Sequence, residues 1–262
     1  MSIITLTTDF GAADWFVGTM KGVILGLQAR AHLVDITHEI PAGDIRAGAF
    51  ALAASHGYFP KGTVHVAVVD PGVGSRRRAI AVQTVNYFFV GPDNGVLSLA
   101  LAREKIKAVH QITNEQLFLH RVSNTFHGRD VFAPVAAHLS KGLPLGKVGA
   151  PITEFVKLSW PEPRRTANSV KGEIAYIDRF GNAITNIGNA TLDSLAEGSC
   201  EIIVRGKRLC ALQPIYQAVP HRNPVAVPGS SGFLELAVNG GSAAKEFKLK
   251  VGQAVMVRGT PR

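Results

Sequence analysis

The chain has 262 residues, of which 46% are hydrophobic, and a formal net charge of +9. This length and composition suit one large folded domain or two smaller ones with sizeable cores, and no apolar run is long enough to cross a bilayer. Because the N-terminus has no basic region followed by a long apolar stretch, we expect neither a signal peptide nor a membrane partner.

The cysteines indicate the cellular compartment, and the distribution of charge indicates the class of partner. Cys200 and Cys210 show no metal-ligand or redox spacing, so we predict a cytoplasmic protein. The basic residues are dispersed, with tight clusters only at residues 76–78 and 164–165. Dispersed charge mostly favours solubility, so we expect no nucleic-acid partner. A non-enzymatic nucleoside or nucleic-acid binder, driven by the positive charge, stays an alternative.

The first part of the chain alternates strand-like and helix-like stretches. Residues 3–10 form a short, apolar, β-branched run typical of a buried strand, and residues 14–29 carry apolar side chains at helical spacing. Further strands are predicted at residues 31–37, 63–70 and 78–90, and further helices at residues 42–59, 95–105 and 129–141. Asp44 and Asp130 are candidate N-caps of two of these helices. This rhythm predicts an α/β fold, with a largely parallel sheet flanked by helices on both faces.

The composition and the periodicity of the sequence change near residue 158. Residues 158–169 are rich in proline and polar residues, which suits a linker. After them, short strands at residues 173–178, 200–204, 233–238 and 253–259 are separated by Gly, Asn and Pro, which indicates a small antiparallel barrel or sandwich. We therefore predict an N-terminal domain over residues 1–160, a linker over 161–170 and a C-terminal domain over 171–262.

Polar groups follow several of the predicted strands. In open α/β sheets, ligands bind outside the carboxyl ends of the strands, and the groups at those ends here are Asp9, Asp35, His38, Asp70, Asp93, Asn94 and, just before a helix, His127. Each has a structural alternative, since an aspartate after a strand is usually a turn or cap residue. Asp70 is the strongest candidate, because glycines that allow close approach of a ligand follow it, and then arginines that would hold it ionised.

A metal site is a second interpretation of the same residues. Asp9, Asp35, Asp70 and His127 would form the site of a metal-dependent phosphoesterase. The sequence contains no D-x-D, H-x-H or H-E-x-x-H spacing to support it.

Six motifs, in order, carry a resemblance to a known family. They read TTDFGxxD, VVDPGVGxxR, PDNG, FHGRDxFxPxA, IDRFGNAITNI and SSGFLELAVNGGSA. Together they resemble the S-adenosylmethionine hydroxide adenosyltransferase family, which is related to fluorinase and chlorinase. The resemblance runs from about residue 3 to residue 258. It implies an N-terminal α/β domain, a C-terminal β-barrel and a homotrimer, with S-adenosylmethionine bound between the N-terminal domain of one subunit and the C-terminal domain of its neighbour.

The resemblance also implies an activity and a catalytic set. Water attacks C5′ of the ribose and releases adenosine and L-methionine, with no cofactor and no metal. The Asp-Arg-His set of the hydrolytic members matches Asp70, Arg77 and His127. The halogenating members lack this set, so its presence favours hydrolysis, and a halogenase-like enzyme stays an alternative.

The resemblance assigns the substrate-binding residues as well. The ribose-binding aspartate matches Asp9, and the methionine-end contacts match Asp14, Asp178 and Ser230. The adenine-side contacts match Phe180, Asn182 and Gly240. This sequence departs from the pattern at two places: the aromatic that halogenating members place near the ribose has no match around Gly43, and the arginine before the NGG segment is Val238.

The implied chemistry is physically consistent with these residues. A sulfonium is already a good leaving group, so the reaction needs a nucleophile held in line with the C5′–S bond, which contributes about 7–11 kcal/mol in favourable cases. Asp70 would accept a hydrogen bond or a proton from water, Arg77 would orient the carboxylate, and His127 would complete the contacts to water or carry the proton. Deprotonation and simple positioning of the water both fit the sequence.

Overall fold

The computed structural model describes residues 2–193, 195 and 199–260. The chain divides into two compact units, residues 1–159 and 160–262. Within the described residues, no helix combines the length and the apolar character needed to span a bilayer. Residues 164–165 and 169–170, inside the predicted linker, are strand residues.

The first unit is built around a six-stranded sheet. Its elements, in chain order, are β1 (Ser2–Thr8), α1 (Phe16–Leu27), β2 (Ala31–Thr37), α2 (Ile45–Ser55), β3 (Val64–Val68), β4 (Ala79–Thr84), β5 (Phe88–Pro92), α3 (Ser98–Leu101), β6 (Ile106–Gln111) and α4 (Ala133–Ser140). The strand order is β2-β1-β3-β5-β4-β6. The β2, β1, β3 and β5 strands are mutually parallel, and β4 runs antiparallel to both of its neighbours. The predicted α/β fold with a largely parallel sheet is confirmed.

Helices cover both faces of this sheet. Successive side chains of a strand point to opposite faces, so β3 contributes to the packing on both sides. On one face, Val64, Val66 and Val68 of β3 pack in a core with buried residues of α1 and α4. On the other face, the buried His65 ring lies 6.0 Å from His56, which directly follows α2.

Three sequence predictions need correction. The single strand predicted over residues 78–90 is the β4–β5 hairpin, because the Thr84 N–H bonds the Tyr87 carbonyl and reverses the chain. The helix predicted over 95–105 is only the short α3 with turns on either side, and β6 begins directly after this range. The prediction of Asp130 as an N-cap is wrong, since residues 128–132 form a π-helical turn and the Asp130 carboxylate accepts from the Ser123 N–H and from Arg129. Asp44 does cap α2, by accepting from the Ala47 N–H.

The second unit is an antiparallel barrel. It contains β7 (Arg164–Arg165), β8 (Ser169–Ile177), β9 (Ala183–Gly188), α5 (Asn189–Asp193), β10 (Ser199–Val204), β11 (Lys207–Ala211), β12 (Pro224–Pro228), β13 (Phe233–Val238), α6 (Ala243–Glu246) and β14 (Ala254–Thr260). The sheet order is β11-β10-β14-β8-β9-β13-β12, with β7 paired to β8. A bridge between Leu212 and Ala226 joins the two edge strands, so the sheet is nearly closed. This decides between the barrel and the sandwich in favour of the barrel.

Candidate active site

Asp70 and Arg77 form a nearly buried ion pair on the loop between β3 and β4. Their side chains are 5% and 11% exposed. The Arg77 Nε–H donates to both carboxylate oxygens at 2.9 and 3.0 Å, and Nη2 donates a further bond to Oδ2. This forked contact fixes both the position and the plane of the carboxylate, which a single point charge does not do.

His127 joins the pair through the same guanidinium. The Arg77 Nη2 donates to His127 Nδ1 at 2.8 Å. Because a guanidinium only donates, Nδ1 is the acceptor nitrogen, and the ring proton of the neutral imidazole is on Nε2. Burial lowers the pKa of His127 and the Arg77 charge lowers it further, against opposing contributions from Asp70 and Asp130. The neutral ring is therefore the favoured form.

The two loops that carry this set meet at Gly74. This glycine has φ +75°, and a Cβ on it would lie 2.2 Å from the backbone oxygen of Asn124, three residues before His127. Only a residue without a side chain permits so close an approach. The glycine after Asp70 thus allows the loops bearing Asp70 and His127 to pack together, and Arg77 bridges them.

Arg77 and His127 also border a cavity of about 210 Å³. Its other walls include Gln111, Ile112 and Phe118. Since a water molecule takes up about 30 Å³ of the liquid, the cavity has room for several. Arg77 and His127 therefore lie next to a space that can hold water, and Asp70 reaches it only through its contact with Arg77.

The remaining candidates of the first unit lie at the same edge of the sheet. Asp9 directly follows β1, which neighbours β3, and its Oδ2 accepts from the Gly43 N–H at 2.8 Å. Asp14 is exposed just before α1. Among the described residues, no basic side chain forms an ion pair with either carboxylate.

Asp35 and His38 hold the loops of this edge together. His38 Nδ1 lies 2.8 Å from Thr8 Oγ1, and the Asp35 carboxylate contacts His38 Nε2 at 3.0 Å and Lys21 at 2.6 Å. The His38 carbonyl also accepts from the Gly11 N–H. These contacts favour the structural interpretation of the two residues, because they pin the segment that carries Asp9.

The second unit contains a separate cavity of about 770 Å³, within the usual range for small-molecule sites. Three residues named from the sequence, Phe180, Asn182 and Gly240, line it together. Phe180 is 76% exposed, which is unusual for an aromatic side chain and argues against a role in the barrel core. Asp178 accepts from the Asn182 N–H at 2.8 Å and from its side-chain amide at 3.1 Å, so it orients the turn.

Part of this cavity was not predicted from the sequence, and one predicted site residue, Ser230, does not line it. Ile215, Tyr216 and Gln217 form one wall, on the segment between β11 and β12. Behind Tyr216 lies the buried Glu235, whose signal in the sequence is a lone carboxylate within an apolar strand. Ser230, predicted at the methionine end, is exposed on the loop between β12 and β13, away from the lining residues of this cavity.

The metal interpretation gains no geometric support. Across residues 2–193, 195 and 199–260, no group of three or more His, Cys, Asp or Glu side chains is arranged to hold a metal ion. Asp70, the strongest candidate ligand, is engaged by Arg77.

The fold and the site define a class: a two-unit protein with an α/β sheet, a small barrel and a hydrogen-bonded Asp-Arg-His set. The sequence matches the SAM hydroxide adenosyltransferase N-terminal domain over residues 4–149 and the C-terminal domain of the same family over residues 172–256. The chain belongs to this family.

Individual relatives are consistent with that membership. An (R)-S-adenosyl-L-methionine hydrolase of Salinispora arenicola is 39% identical over 97% of both chains. A fluorinase of Actinoplanes sp. is 27% identical over 97% of both chains. A crystal structure of an uncharacterized conserved protein from Thermotoga maritima superimposes with a TM-score of 0.92 at 36% identity, over 98% of this chain and 100% of that one.

Proposed function

We propose that this protein hydrolyses S-adenosyl-L-methionine to adenosine and L-methionine, with water attacking C5′ of the ribose. The observation that carries the proposal is the hydrogen-bonded set of Asp70, Arg77 and His127 in a member of this family. The greater identity to a hydrolase than to a fluorinase, 39% against 27%, favours water over halide as the nucleophile.

We assign a role to each member of the set. The C5′–O bond forms as the C5′–S bond breaks, and the electron pair of that bond stays on sulfur, which becomes the neutral thioether of methionine. Because His127 Nδ1 is occupied by Arg77, the imidazole presents Nε2–H and donates to the water. Asp70 is then the acceptor for a water proton, and Arg77 holds the acceptor and the donor at a fixed separation. The set chiefly aims and polarises the water, and the proton is lost to Asp70 or to solvent as the new bond forms.

The cationic substrate needs counter-charges and a purine site. We assign Asp9 to the ribose diol, since one carboxylate matches two hydroxyl donors. Asp14, Asp178 and Ser230 are assigned to the methionine end. The adenine side is assigned to three residues of the larger cavity: Phe180, Asn182 and Gly240.

The family resemblance supports a larger assembly. We propose a homotrimer in which the first unit of one subunit and the second unit of its neighbour bind one substrate, in the cytoplasm and without a cofactor. Mass measurement in solution by light scattering checks the trimer, and a monomer at working concentrations contradicts it.

The activity is tested by incubating purified protein with S-adenosylmethionine and separating the products by liquid chromatography. We expect adenosine and methionine in equal amounts, with strong loss in Asp70→Ala, Arg77→Ala and His127→Ala. Arg30→Ala is the matched control, because Arg30 is exposed at the opposite end of the sheet, before β2. Full activity in all three site variants would rule out the mechanism.

Three further measurements separate the alternatives. A 5′-halogenated adenosine formed with chloride or fluoride indicates a halogenase. Loss of activity with a chelator, restored by a divalent cation, indicates a metal-dependent phosphoesterase. Salt-sensitive nucleoside or nucleic-acid binding without turnover indicates a binding protein.

A further inference from the structure

Glu235 is a buried acid in an otherwise apolar strand. It is 6% exposed on β13, between Leu234 and Leu236, which are fully buried. In the part of the chain that the structure describes, no basic side chain pairs with it. Burial of an unpaired carboxyl costs free energy unless a hydrogen bond compensates it. The hydrogen bond that Glu235 makes is therefore important for its burial.

That contact is to the wall of the larger cavity. The Tyr216 hydroxyl donates to Glu235 Oε1 at 2.5 Å. Burial raises the pKa of Glu235, and burial together with the Glu235 contact raises the pKa of Tyr216. The phenol therefore stays protonated and available as a donor throughout the physiological range.

The Tyr216 end of its segment is weakly packed, in contrast to Val219 at the other end. Ile215 is 58% exposed and Tyr216 is 42% exposed, on a short 3-10 turn between β11 and β12. Among the described residues, the side-chain hydrogen bonds of this segment are the Tyr216–Glu235 bond and a bond from the Asn239 side chain to the Val219 carbonyl, while the Val219 side chain packs on the small cluster of Val225, Val227 and Ala237. Exposed apolar side chains on an irregular segment do not fix their own position, so the Glu235 bond sets where the ring lies.

We infer that Glu235 is a positioning residue that holds the Tyr216 ring as one wall of a purine-nucleoside site, together with Phe180. This inference rests on the proposed function, since it takes the 770 Å³ cavity as the adenine-side pocket. Aromatic walls bind purine faces by stacking. A ring already fixed before binding loses less conformational entropy when the ligand arrives, so the bond acts on affinity and leaves the chemical step unchanged.

The test is a set of binding titrations with adenosine, by isothermal calorimetry on the purified protein. Tyr216→Phe keeps the ring and removes the donor, and Glu235→Leu keeps the volume and removes the acceptor. We expect each to weaken adenosine binding about tenfold, the value of one hydrogen bond. The double variant is expected to show the same tenfold loss as either single variant, because both break the same contact.

Two variants separate positioning from simple stability. Glu235→Gln keeps an acceptor for the phenol, and its adenosine affinity is expected within threefold of the unchanged protein. Tyr58→Phe, at a phenol that is 81% exposed in the first unit, is the matched control and is expected to have no effect. In turnover assays, Tyr216→Phe and Glu235→Leu are expected to raise KM with kcat unchanged. If Glu235→Leu fails to fold, the Tyr216→Phe and Glu235→Gln titrations decide the question.

The outcomes distinguish this inference from the proposed activity. Unchanged adenosine affinity in Tyr216→Phe, or a hundredfold loss in the double variant, overturns the positioning role. A protein that binds no adenosine at all also overturns it. If adenosine binding follows the expected pattern while S-adenosylmethionine is not hydrolysed, the positioning role stands and the proposed reaction fails.

Discussion

Replacement of Arg77 by lysine tests whether the guanidinium acts as a bridge or only as a charge. Arg77→Lys keeps the positive charge beside Asp70, so the buried carboxylate stays compensated and the fold is expected to persist. The lysine ammonium has no planar fork, and it cannot hold both carboxylate oxygens and His127 Nδ1 in one geometry. The substitution therefore removes the bridge while it preserves the charge.

The hydrogen bonds of Arg77 set the size of the expected effect. Arg77 donates three bonds to Asp70 and one to His127. Loss of the His127 bond and of one Asp70 bond removes two hydrogen bonds that involve a charged group, at about 1.5–3 kcal/mol each. Screening by solvent is small because the Arg77 side chain is only 11% exposed. A loss of about 3–6 kcal/mol in positioning the nucleophile corresponds to a fall in kcat/KM of about 10²- to 10⁴-fold.

The measurement is the initial rate of adenosine release from S-adenosylmethionine, with Arg30→Lys as the control. Thermal unfolding and adenosine titration of the same samples show whether the fold and the second-unit cavity are intact. A variant that folds, binds adenosine and keeps more than a tenth of the unchanged kcat/KM would show that charge alone suffices, and the bridging argument would be wrong.

Three further predictions concern stability and the loops around the site. Burial lowers the pKa of His65 to about 3, so between pH 6.5 and 3 the unfolded chain binds a proton that the folded chain does not. Stability therefore falls as the pH falls, by about 2 kcal/mol at pH 5, and urea unfolding of His65→Asn should show this loss removed while the exposed His120→Asn should not. Gly74→Ala places a Cβ against Asn124 in a left-handed backbone, and calorimetry should show about 2–4 kcal/mol of destabilisation together with reduced turnover. Asp44→Ala removes the cap of α2 and should cost about 1 kcal/mol in urea unfolding, without a change in turnover.

Local pattern was sufficient for the first half of the α/β unit. The β1, α1, β2, α2 and β3 elements have continuous apolar runs or helical spacing, and Asp44 gives a clear helix start. The β4–β5 turn was missed because it contains neither glycine nor proline; Thr84 closes it by bonding the Asn86 and Tyr87 N–H groups. The strands β9, β11 and β12 were also missed. Pro224 and Pro228 bound β12, and proline is tolerated at the first residue of a strand and at the end of the strand order, where β12 lies.

The sequence predicted only some of the residues and contacts of the candidate site. Asp70 and Arg77 lie close in sequence, but Arg77 and His127 are 50 residues apart, and their contact came only from the family resemblance. No periodicity reports the approach of Gly74 to Asn124, since it depends on how two loops pack. Tyr216 escaped prediction because it belongs to an irregular segment and becomes part of the cavity only through tertiary packing.

Two of the arginines that follow Asp70 compensate carboxylates in this protein of net charge +9. Arg77 turns to Asp70, and Arg78 pairs with Asp93 on the neighbouring loop after β5. Two arginines adjacent in sequence therefore reach two different carboxylates. The charges of Asp70 and Asp93 are thus compensated, and these two side chains fix the positions of the loops.

The carboxylates assigned to the substrate are different in kind. Within the described chain, Asp9 and Asp14 have no basic partner, and Asp178 is held by the amide groups of Asn182. Carboxylates without a basic partner attract the sulfonium and ammonium groups of S-adenosylmethionine, and cleavage removes the sulfonium charge, which weakens the attraction to the products. Neutralising Asp14 or Asp178 to asparagine is therefore expected to weaken binding of S-adenosylmethionine more than binding of adenosine. Equal loss for the two ligands would contradict this electrostatic division between compensated and uncompensated acids.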